Sequence, residues 1–239
     1  MPANKKSVQA AWRGRGSAPR LKRREGPGTP LRREQIVATA LDLVDRDGLK
    51  ALSMRRLGAE LGVDPMAVYY YLPNKQALLD AIVEAVMSGI DLSVDHAGEP
   101  PEQRILRAAH AYRDAMLAHV NALPIVLAHG PATAAALRPV ELLIGILRDA
   151  GLPPAEALSG MNVIAAAVRG FAGMIASGGT KAPSPDQIKE LARCLPTGEF
   201  PHLREAMPHA DEYSDRGFDF GIRALARGLL AQARSGLAG

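Results

Sequence analysis

A run of helix-capping and helix-breaking residues in the first third of the chain limits what it can fold into. Ser53 is a typical N-cap, and Gly62 ends the helix that follows after barely two turns. Asp64 caps the next helix, with Pro65 at the first helical position, where its missing N–H costs nothing. That helix ends before Pro73, because the residue before a proline avoids helical geometry. The sequence therefore predicts two very short helices joined through a glycine.

Such a pair is either an ordinary helical hairpin or a helix-turn-helix, the unit whose second helix lies in the DNA major groove. Successive residues of a helix are about 100° apart. Val68 and Leu72 therefore share one face of the second helix, which we predict to be its core face. Met66 and Tyr70 point away from that face, and two further tyrosines flank it, Tyr69 and Tyr71. Because an exposed helix face normally carries charge, this apolar one favours the DNA-binding interpretation.

The excess of positive charge is confined to one end of the chain. Residues 1–30 hold eight basic residues and one acidic residue. Residues 31–90 hold seven basic and eight acidic residues, and residues 91–239 hold fourteen and sixteen. Since the first segment is also rich in glycine and proline, we predict a flexible basic arm. The arm either binds phosphate backbones or serves only as a solubilising tail.

Helical periodicity continues along the rest of the chain. The predicted helices lie at 31–47, 74–90, 101–119, 123–129, 133–149, 155–177, 185–194 and 215–235. Residues 195–208 are expected to be irregular, because prolines and a glycine interrupt them. No alternating strand pattern and no internal repeat is found, so the predicted fold class is all-α.

Composition and motifs argue against several classes of protein. A single cysteine, Cys194, permits no internal disulfide and no cysteine metal cage. We find no apolar run of membrane-spanning length and no secretory signal, which predicts a cytoplasmic protein without a membrane partner. Motifs of hydrolases, zinc proteases, P-loop proteins and dinucleotide enzymes are missing. We therefore expect no enzyme activity, no catalytic residue, no cofactor and no metal site.

The segment from about residue 33 to about residue 83 resembles one known protein family. The segment IVATALDLVDRDGLKALSMRRLGAELGVDPMAVYYYLPNKQALLDAI is similar to the DNA-binding domain of the tetracycline-repressor (TetR) family of bacterial regulators. The resemblance implies a three-helix DNA-binding domain with a linking helix at 31–90, and a larger helical ligand-binding and dimerisation domain at 91–239. It also implies which residues contact DNA: Arg55, Pro65, Met66, Ala67, Tyr69, Tyr70, Tyr71 and Lys75.

The resemblance implies a role for each of these residues. Pro65, Met66 and Ala67 match the positions that face bases, and Lys75 matches a lysine that holds the DNA backbone. The tetracycline-binding members carry Gln-Pro-Thr where this chain has Pro-Met-Ala, so we expect a different operator. The helix in the groove has few hydrogen-bonding groups. We therefore predict reading by Arg55, by contacts with thymine methyl groups and by DNA shape.

Small residues alternate with large ones at three- and four-residue steps in the predicted helices 155–177 and 215–235. This spacing suits close packing within one subunit. The resemblance implies instead that these helices pair with their copies in a dimer, through Leu158, Ala165, Phe171, Gly221, Ile222, Leu225 and Leu229. A homodimer also suits a palindromic operator, because two recognition helices then read two half-sites.

A small-molecule pocket is also implied by the resemblance. The candidates, each of which also suits packing or the surface, are His110, Arg113, Met116, His119, His129, Met161, Asn162, Arg169 and Met174. His110 and His119 lie on opposite sides of a helix, so they form no adjacent metal pair. We therefore expect an apolar pocket with one or two polar groups, without the metal–tetracycline chelation of the founding members.

These features together predict a sequence-specific DNA-binding transcriptional regulator, a repressor that a small-molecule ligand releases from its operator. The alternative is a helical DNA-coating or scaffold protein without a ligand switch.

Overall fold

Short connections join the helices of the computed structural model. The structure describes residues 30–177, 184–196, 198–212 and 215–236, so the predicted arm lies outside it apart from Pro30. The α-helices are α1 (Arg33–Asp47), α2 (Met54–Leu61), α3 (Pro65–Tyr71), α4 (Lys75–Ser88), α5 (Pro101–Ala118), α6 (Leu123–Ala128), α7 (Ala134–Asp149), α8 (Pro154–Ala176), α9 (Pro185–Cys194), α10 (Pro201–Ala206) and α11 (Asp215–Gly236). The described residues contain no strand, which confirms the all-α prediction.

The N-caps predicted at Ser53 and Asp64 are present in the structure, and Asn74 caps α4 in the same way. Side-chain oxygens of Ser53, Asp64 and Asn74 accept hydrogen bonds from backbone N–H groups in the first turns of α2, α3 and α4. The three distances are 3.2, 2.8 and 2.8 Å. These bonds satisfy N–H groups that have no partner within the helix, so local sequence sets where each helix begins.

The prediction of an irregular segment at 195–208 was wrong. Residues Pro201–Ala206 form α10, and a 3₁₀ helix follows at Met207–Glu212. Pro201 occupies the first turn of α10, where proline favours a helix rather than breaking it. The guanidinium of Arg204 also donates a 2.7 Å hydrogen bond to the backbone oxygen of Leu195, which ties the helix to the preceding turn.

Two groups of buried side chains lie along the chain, and α4 connects them. The first group is contributed by α1 to α4 and includes Ile36, Leu43, Leu57, Val68, Leu72 and Leu78. The second is contributed by α5, α7, α8 and α11 and includes Ile105, Ile146, Leu147, Ile164, Val168 and Phe218. Because α4 packs against both α1 and α7, a movement of α4 relative to α7 also moves the helices around α1.

The expectation that no apolar run is long enough to span a membrane was wrong, if length and composition are the only criteria. Helix α8 has 23 residues and is apolar enough to pass that test. Core helices of soluble proteins pass it too, and one side of α8, including Ile164 and Val168, is buried in the second group. The apolar length of α8 thus reflects burial on one side together with an exposed apolar face on the other.

Candidate functional site

Helices α2 and α3 approach each other closely at two glycines. Gly58 is buried in α2, and a Cβ atom at this position would lie 3.0 Å from the Val63 carbonyl oxygen and 3.2 Å from the Cα of Pro65. Gly62 caps α2 with φ of 70°, a left-handed conformation that other residues adopt at a cost. The two glycines therefore set how closely and at what angle α3 leaves α2.

The outer face of α3 is exposed and apolar. Val68 and Leu72 are buried, as the helical wheel predicts. Met66 is 71% exposed and Tyr70 is 84% exposed, whereas Tyr69 is 39% exposed and Tyr71 is half-buried. The rings of Tyr70 and Tyr71 meet edge to face, with centroids 5.2 Å apart. A contiguous exposed strip of this kind is typical of a binding surface.

The cations around α3 fall into two groups. Arg46 forms ion pairs with Asp42, Asp47 and Glu60, and Arg56 forms one with Asp47. Arg55 and Lys75 are exposed, and neither has an ion pair within 4.0 Å among the residues that the structure describes. Lys50, in the turn before α2, has the same two properties, and we did not predict it because the motif marks no basic position there. These three cations remain available to phosphate groups.

A mostly apolar cavity of about 260 Å³ lies among α4, α5, α6, α7 and α8. Its apolar lining includes Val83, Met87, Ile90, Ala108, Ala109, Val140, Leu143, Met161 and Ile164. The polar side chains that line it are Asp91, Tyr112, His129, Asn162 and Arg169. A concave apolar site with a few polar groups is the usual form of a small-molecule site.

Only part of the predicted pocket set lines this cavity. Met161, Asn162, Arg169 and His129 do, and we correct the assignment of the other five, His110, Arg113, Met116, His119 and Met174. The histidines and Arg113 point toward acidic partners instead: His110 to Asp219, His119 to Asp45, and Arg113 to Asp114 and Asp215. Met116 is buried in the protein, and Met174 is exposed on α8.

Tyr112 and Asp91 line the cavity although we did not predict them. The alanines around Tyr112 in the sequence AAHAY leave space next to α5, and a lone tyrosine among small residues could have indicated a pocket. Burial raises the pKa of the Tyr112 phenol, and the charge of Arg169 partly opposes this effect. The phenol is therefore neutral at pH 7 and can donate a hydrogen bond into the cavity.

Two histidine contacts join the part of the chain around the cavity to helices α1 and α4. His119, after α5, lies 2.7 Å from the carboxylate of Asp45 in α1, and the amide of Asn121 donates to the Asp45 backbone oxygen at 2.8 Å. His129, which lines the cavity, lies 2.9 Å from the side-chain nitrogen of Gln76 in the first turn of α4. The lining of the cavity is therefore in direct side-chain contact with the start of α4.

The predicted dimer residues do not share one face. Ala165 and Ile222 are buried inside the chain, which corrects their assignment, because the large stripe of α11 packs inward on α5 and α8. Leu158 is exposed, and the half-buried members are Phe171, Gly221, Leu225 and Leu229. The exposed apolar side chains that we did not assign are Val163 and Met174 on α8 and Phe220 on α11.

Two family profiles match the chain. The family described as "Bacterial regulatory proteins, tetR family" matches residues 36–82, and "Tetracyclin repressor-like, C-terminal domain" matches residues 98–233. The second match alone covers more than half of the chain. Both ranges contain residues of the sites described above, α3 in the first and most of the cavity in the second.

Similar proteins include bacterial repressors. The class C tetracycline repressor of Escherichia coli is 28% identical over 208 residues, which cover 83% of this chain and 90% of that protein. The HTH-type transcriptional repressor DrrR1 of Streptomyces coeruleorubidus is 28% identical over 219 residues, covering 85% and 79%. The crystal structure of the Streptomyces coelicolor TetR family protein ActR in complex with actinorhodin matches with a TM-score of 0.75 and 29% identity, covering 86% of this chain and 99% of that one.

Proposed function

The chain belongs to the TetR family of bacterial regulatory proteins and is a ligand-responsive, DNA-binding transcriptional repressor. From this premise we propose that it acts as a homodimer, with α3 of each protomer in the major groove at one half of a palindromic operator. The observation that carries the proposal is the outer face of α3, where Met66 and Tyr70 are exposed although both are large and apolar. Burial against base edges gives these side chains the contacts that the isolated chain lacks.

We assign roles to the side chains around α3 from their exposure. Met66 and Tyr70, with Pro65 and Ala67 beside them, face the bases and contact thymine methyl groups. Three exposed groups, Arg55, Tyr69 and Lys75, bind phosphates or, for Arg55, a base edge. The half-buried Tyr71 packs against Tyr70 and holds it in position.

The ligand binds in the cavity, and α4 transmits the effect of ligand binding to α3. Side chains of α4 line the cavity, and the same helix begins next to the end of α3. A ligand that contacts Val83 and His129 shifts α4 through the packing and through the His129–Gln76 contact. This changes the spacing of the two α3 helices in a dimer, so that both no longer fit their half-sites.

The proposed dimer interface is the exposed apolar face of α8 and α11. It is built from the exposed Leu158, Val163, Met174, Phe220 and Ala224, together with the half-buried Gly221. We retain the domain division at residues 31–90 and 91–239, and we assign the arm at 1–30 to nonspecific attraction of DNA. As a cytoplasmic regulator of this kind, the protein needs no catalytic residue.

The test is selection of binding sites from random duplex DNA with the purified full-length chain. We expect one palindromic sequence to be enriched, and unrelated DNA to compete poorly with it. Arg55→Ala should weaken binding to that sequence, whereas Arg193→Ala, which removes the same charge from α9, should not. Equal affinity for all sequences would instead support the DNA-coating alternative.

The ligand switch is tested on the selected operator. Actinorhodin, which ActR holds in its crystal structure, is a suitable first probe for this chain. We expect that a ligand bound in the cavity lowers the affinity for the operator. Operator DNA should lower the affinity for the ligand by the same factor. Equal operator affinity with and without a tightly bound ligand contradicts the switch.

A further inference from the structure

We propose that the cavity selects an anionic apolar ligand and that Arg169 is the counter-ion of its acidic group. This inference rests on the proposed ligand site and specifies the chemistry of the molecule that fills it. Arg169 lies on α8, is half-buried and lines the cavity. Its Nε donates a 3.2 Å hydrogen bond to the Ala165 backbone oxygen, one turn earlier in the helix.

The guanidinium of Arg169 has no carboxylate partner within 4.0 Å among the described residues. Neither of its terminal nitrogens makes a hydrogen bond to another described residue, so their donors are available to a ligand. A guanidinium stays protonated in proteins, so this positive charge persists at every relevant pH. Partial burial of a charge without a partner costs free energy, and an anion in the cavity removes that cost.

The two arginines that are more deeply buried than Arg169 among the described residues, Arg104 and Arg113, are both paired with acids. Arg104 forms ion pairs with Asp95 at 2.7 Å and with Asp149 at 3.1 Å. Arg113 forms ion pairs at 3.0 Å with two further acids, Asp114 and Asp215, and its guanidinium lies 4.6 Å from the centre of the Phe218 ring. In the part of the chain that the structure describes, acids lie next to these two arginines, whereas none lies within 4.0 Å of the guanidinium of Arg169.

Neighbouring groups fit the acidic end of such a ligand. Tyr112 is a neutral hydrogen-bond donor whose pKa burial raises, and Arg169 is close enough to act on it. Asn162 precedes Arg169 by seven residues, two helical turns, and therefore lies on the same side of α8. The carboxylate of Asp91 also lines the cavity, but its Oδ1 already accepts two hydrogen bonds from Ser93, at 2.9 and 2.6 Å.

The apolar part of the cavity lining indicates what the ligand is like apart from its acidic group. It is built from valine, leucine, isoleucine, methionine and alanine, which reward burial of an apolar skeleton. A volume of about 260 Å³ lies just below the usual range for drug-sized ligands, roughly 300–1,000 Å³. The inferred ligand class is therefore a compact, apolar acid with few other polar groups.

The experiment uses two fluorescent probes that differ by one charged group. Anilinonaphthalene sulfonate carries a permanent negative charge, and N-phenylnaphthylamine has the same aromatic skeleton without the sulfonate. Their affinities are measured by titration with the full-length protein and with Arg169→Gln. Arg193→Gln serves as the matched control, because it removes an exposed positive charge away from the cavity.

We expect Arg169→Gln to weaken binding of the sulfonate probe by at least about tenfold, the effect of losing one charge-assisted hydrogen bond. Binding of the neutral probe should stay within about twofold, which also shows that the variant is folded. Arg169→Lys should recover part of the lost affinity, because it restores the charge without the planar fork. Arg193→Gln should bind both probes as the unaltered chain does.

Two results overturn the inference. One is an equal loss of affinity for both probes, which means that Arg169 only shapes the cavity. The other is unchanged binding of the sulfonate, which means that the anion site lies elsewhere. Neither depends on DNA, so a failure of the proposed repressor function, seen as no enriched operator, is distinguished from a failure of this inference.

Discussion

Tyr70 is more exposed than any other large apolar side chain in the part of the chain that the structure describes. It lies one residue before the end of a seven-residue helix, and Val68 in that helix and its C-cap Leu72 are buried on the opposite side. Nothing in the folding of the isolated chain explains a tyrosine here, because an exposed ring contributes little to a core. At the scale of single residues, this exposure supports our proposal that Tyr70 and Met66 contact bases in the DNA groove.

Two tyrosine substitutions test this assignment. We expect Tyr70→Ala to change which bases the protein prefers, because its ring faces the base edges. Tyr69→Phe should weaken binding evenly, by about tenfold, because it removes only a hydroxyl that binds a phosphate. Site selection and competition binding at several salt concentrations measure both effects. The reverse pattern would mean that α3 lies in the groove with a different rotation about its axis.

At the scale of elements, the packing of α2 on α3 depends on one missing side chain. The atoms closest to a Cβ at Gly58 are backbone atoms of Val63 and Pro65, which have no rotamer to change. The turn itself is short, since Gly62 closes α2 and Asp64 already caps α3. Any larger side chain at position 58 therefore pushes α3 away from α2.

Two glycine-to-alanine substitutions test the packing of α2 on α3. We expect Gly58→Ala to lower the free energy of unfolding by about 1–3 kcal/mol through overpacking and to weaken operator binding. Gly145→Ala in α7 is the control, because no atom lies within 4 Å of the added Cβ there. The helical preference of alanine should raise stability in that variant by up to about 1 kcal/mol. Urea unfolding distinguishes the two, and equal stabilities of both variants contradict the packing argument.

An ion pair between Arg104 and Asp95 holds the connection before α5 in place. Hydrogen bonds from Arg104 hold the pKa of Asp95 below its ordinary value of 3.8. Because the folded-state pKa is the lower one, the ion pair stabilises the fold above the ordinary pKa, and this contribution is lost as the pH falls through the folded value. Arg104 is itself buried, so removing Asp95 leaves its charge with the exposed Asp149 as the one remaining ion-pair partner among the residues that the structure describes.

We therefore expect Asp95→Asn to cost about 2–3 kcal/mol of stability at neutral pH. The difference from the unaltered chain should shrink on acidification below pH 3.8. Asp149→Asn should have a smaller effect, because that side chain is mostly exposed. Thermal unfolding at a series of pH values measures all three proteins. A stability difference that does not depend on pH would show that Asp95 acts through its shape and not through its charge.

At the scale of the whole molecule, the two helices richest in small residues leave an apolar face uncovered. Val163 on α8 and Phe220 on α11 are 49% and 76% exposed. A palindromic operator has two half-sites and needs two recognition helices, so we propose that a second copy of the chain packs on this uncovered face.

A charge on this face tests the dimer. We expect Val163→Glu to convert the protein to a monomer by light scattering and to abolish binding to a palindromic operator, because half-site affinity alone is weak. Leu127→Glu on α6 is the control, since Leu127 is similarly exposed, at 51%, but lies outside α8 and α11. A dimeric Val163→Glu protein with normal operator binding would assign the interface to another surface.

Local features of the sequence predict a large part of this protein. Caps at Ser53, Asp64 and Asn74 lie next to the helices they start, so the helix-turn-helix could be located without any tertiary information. The burial pattern of α3 was also predictable, because a single helix turn fixes which side chains share a face.

The tertiary structure alone decided which residues meet across the chain. Periodicity showed that α8 and α11 each carry a small and a large stripe, but only the packed neighbours decide which stripe faces inward, and Ala165 and Ile222 proved to be internal. Likewise, His119 and Arg169 look alike as pocket candidates in the sequence. Among the described residues, the fold brings Asp45 to within 2.7 Å of the first and no acid to within 4.0 Å of the second, because contacts between distant segments depend on how the helices pack and not on their local spacing.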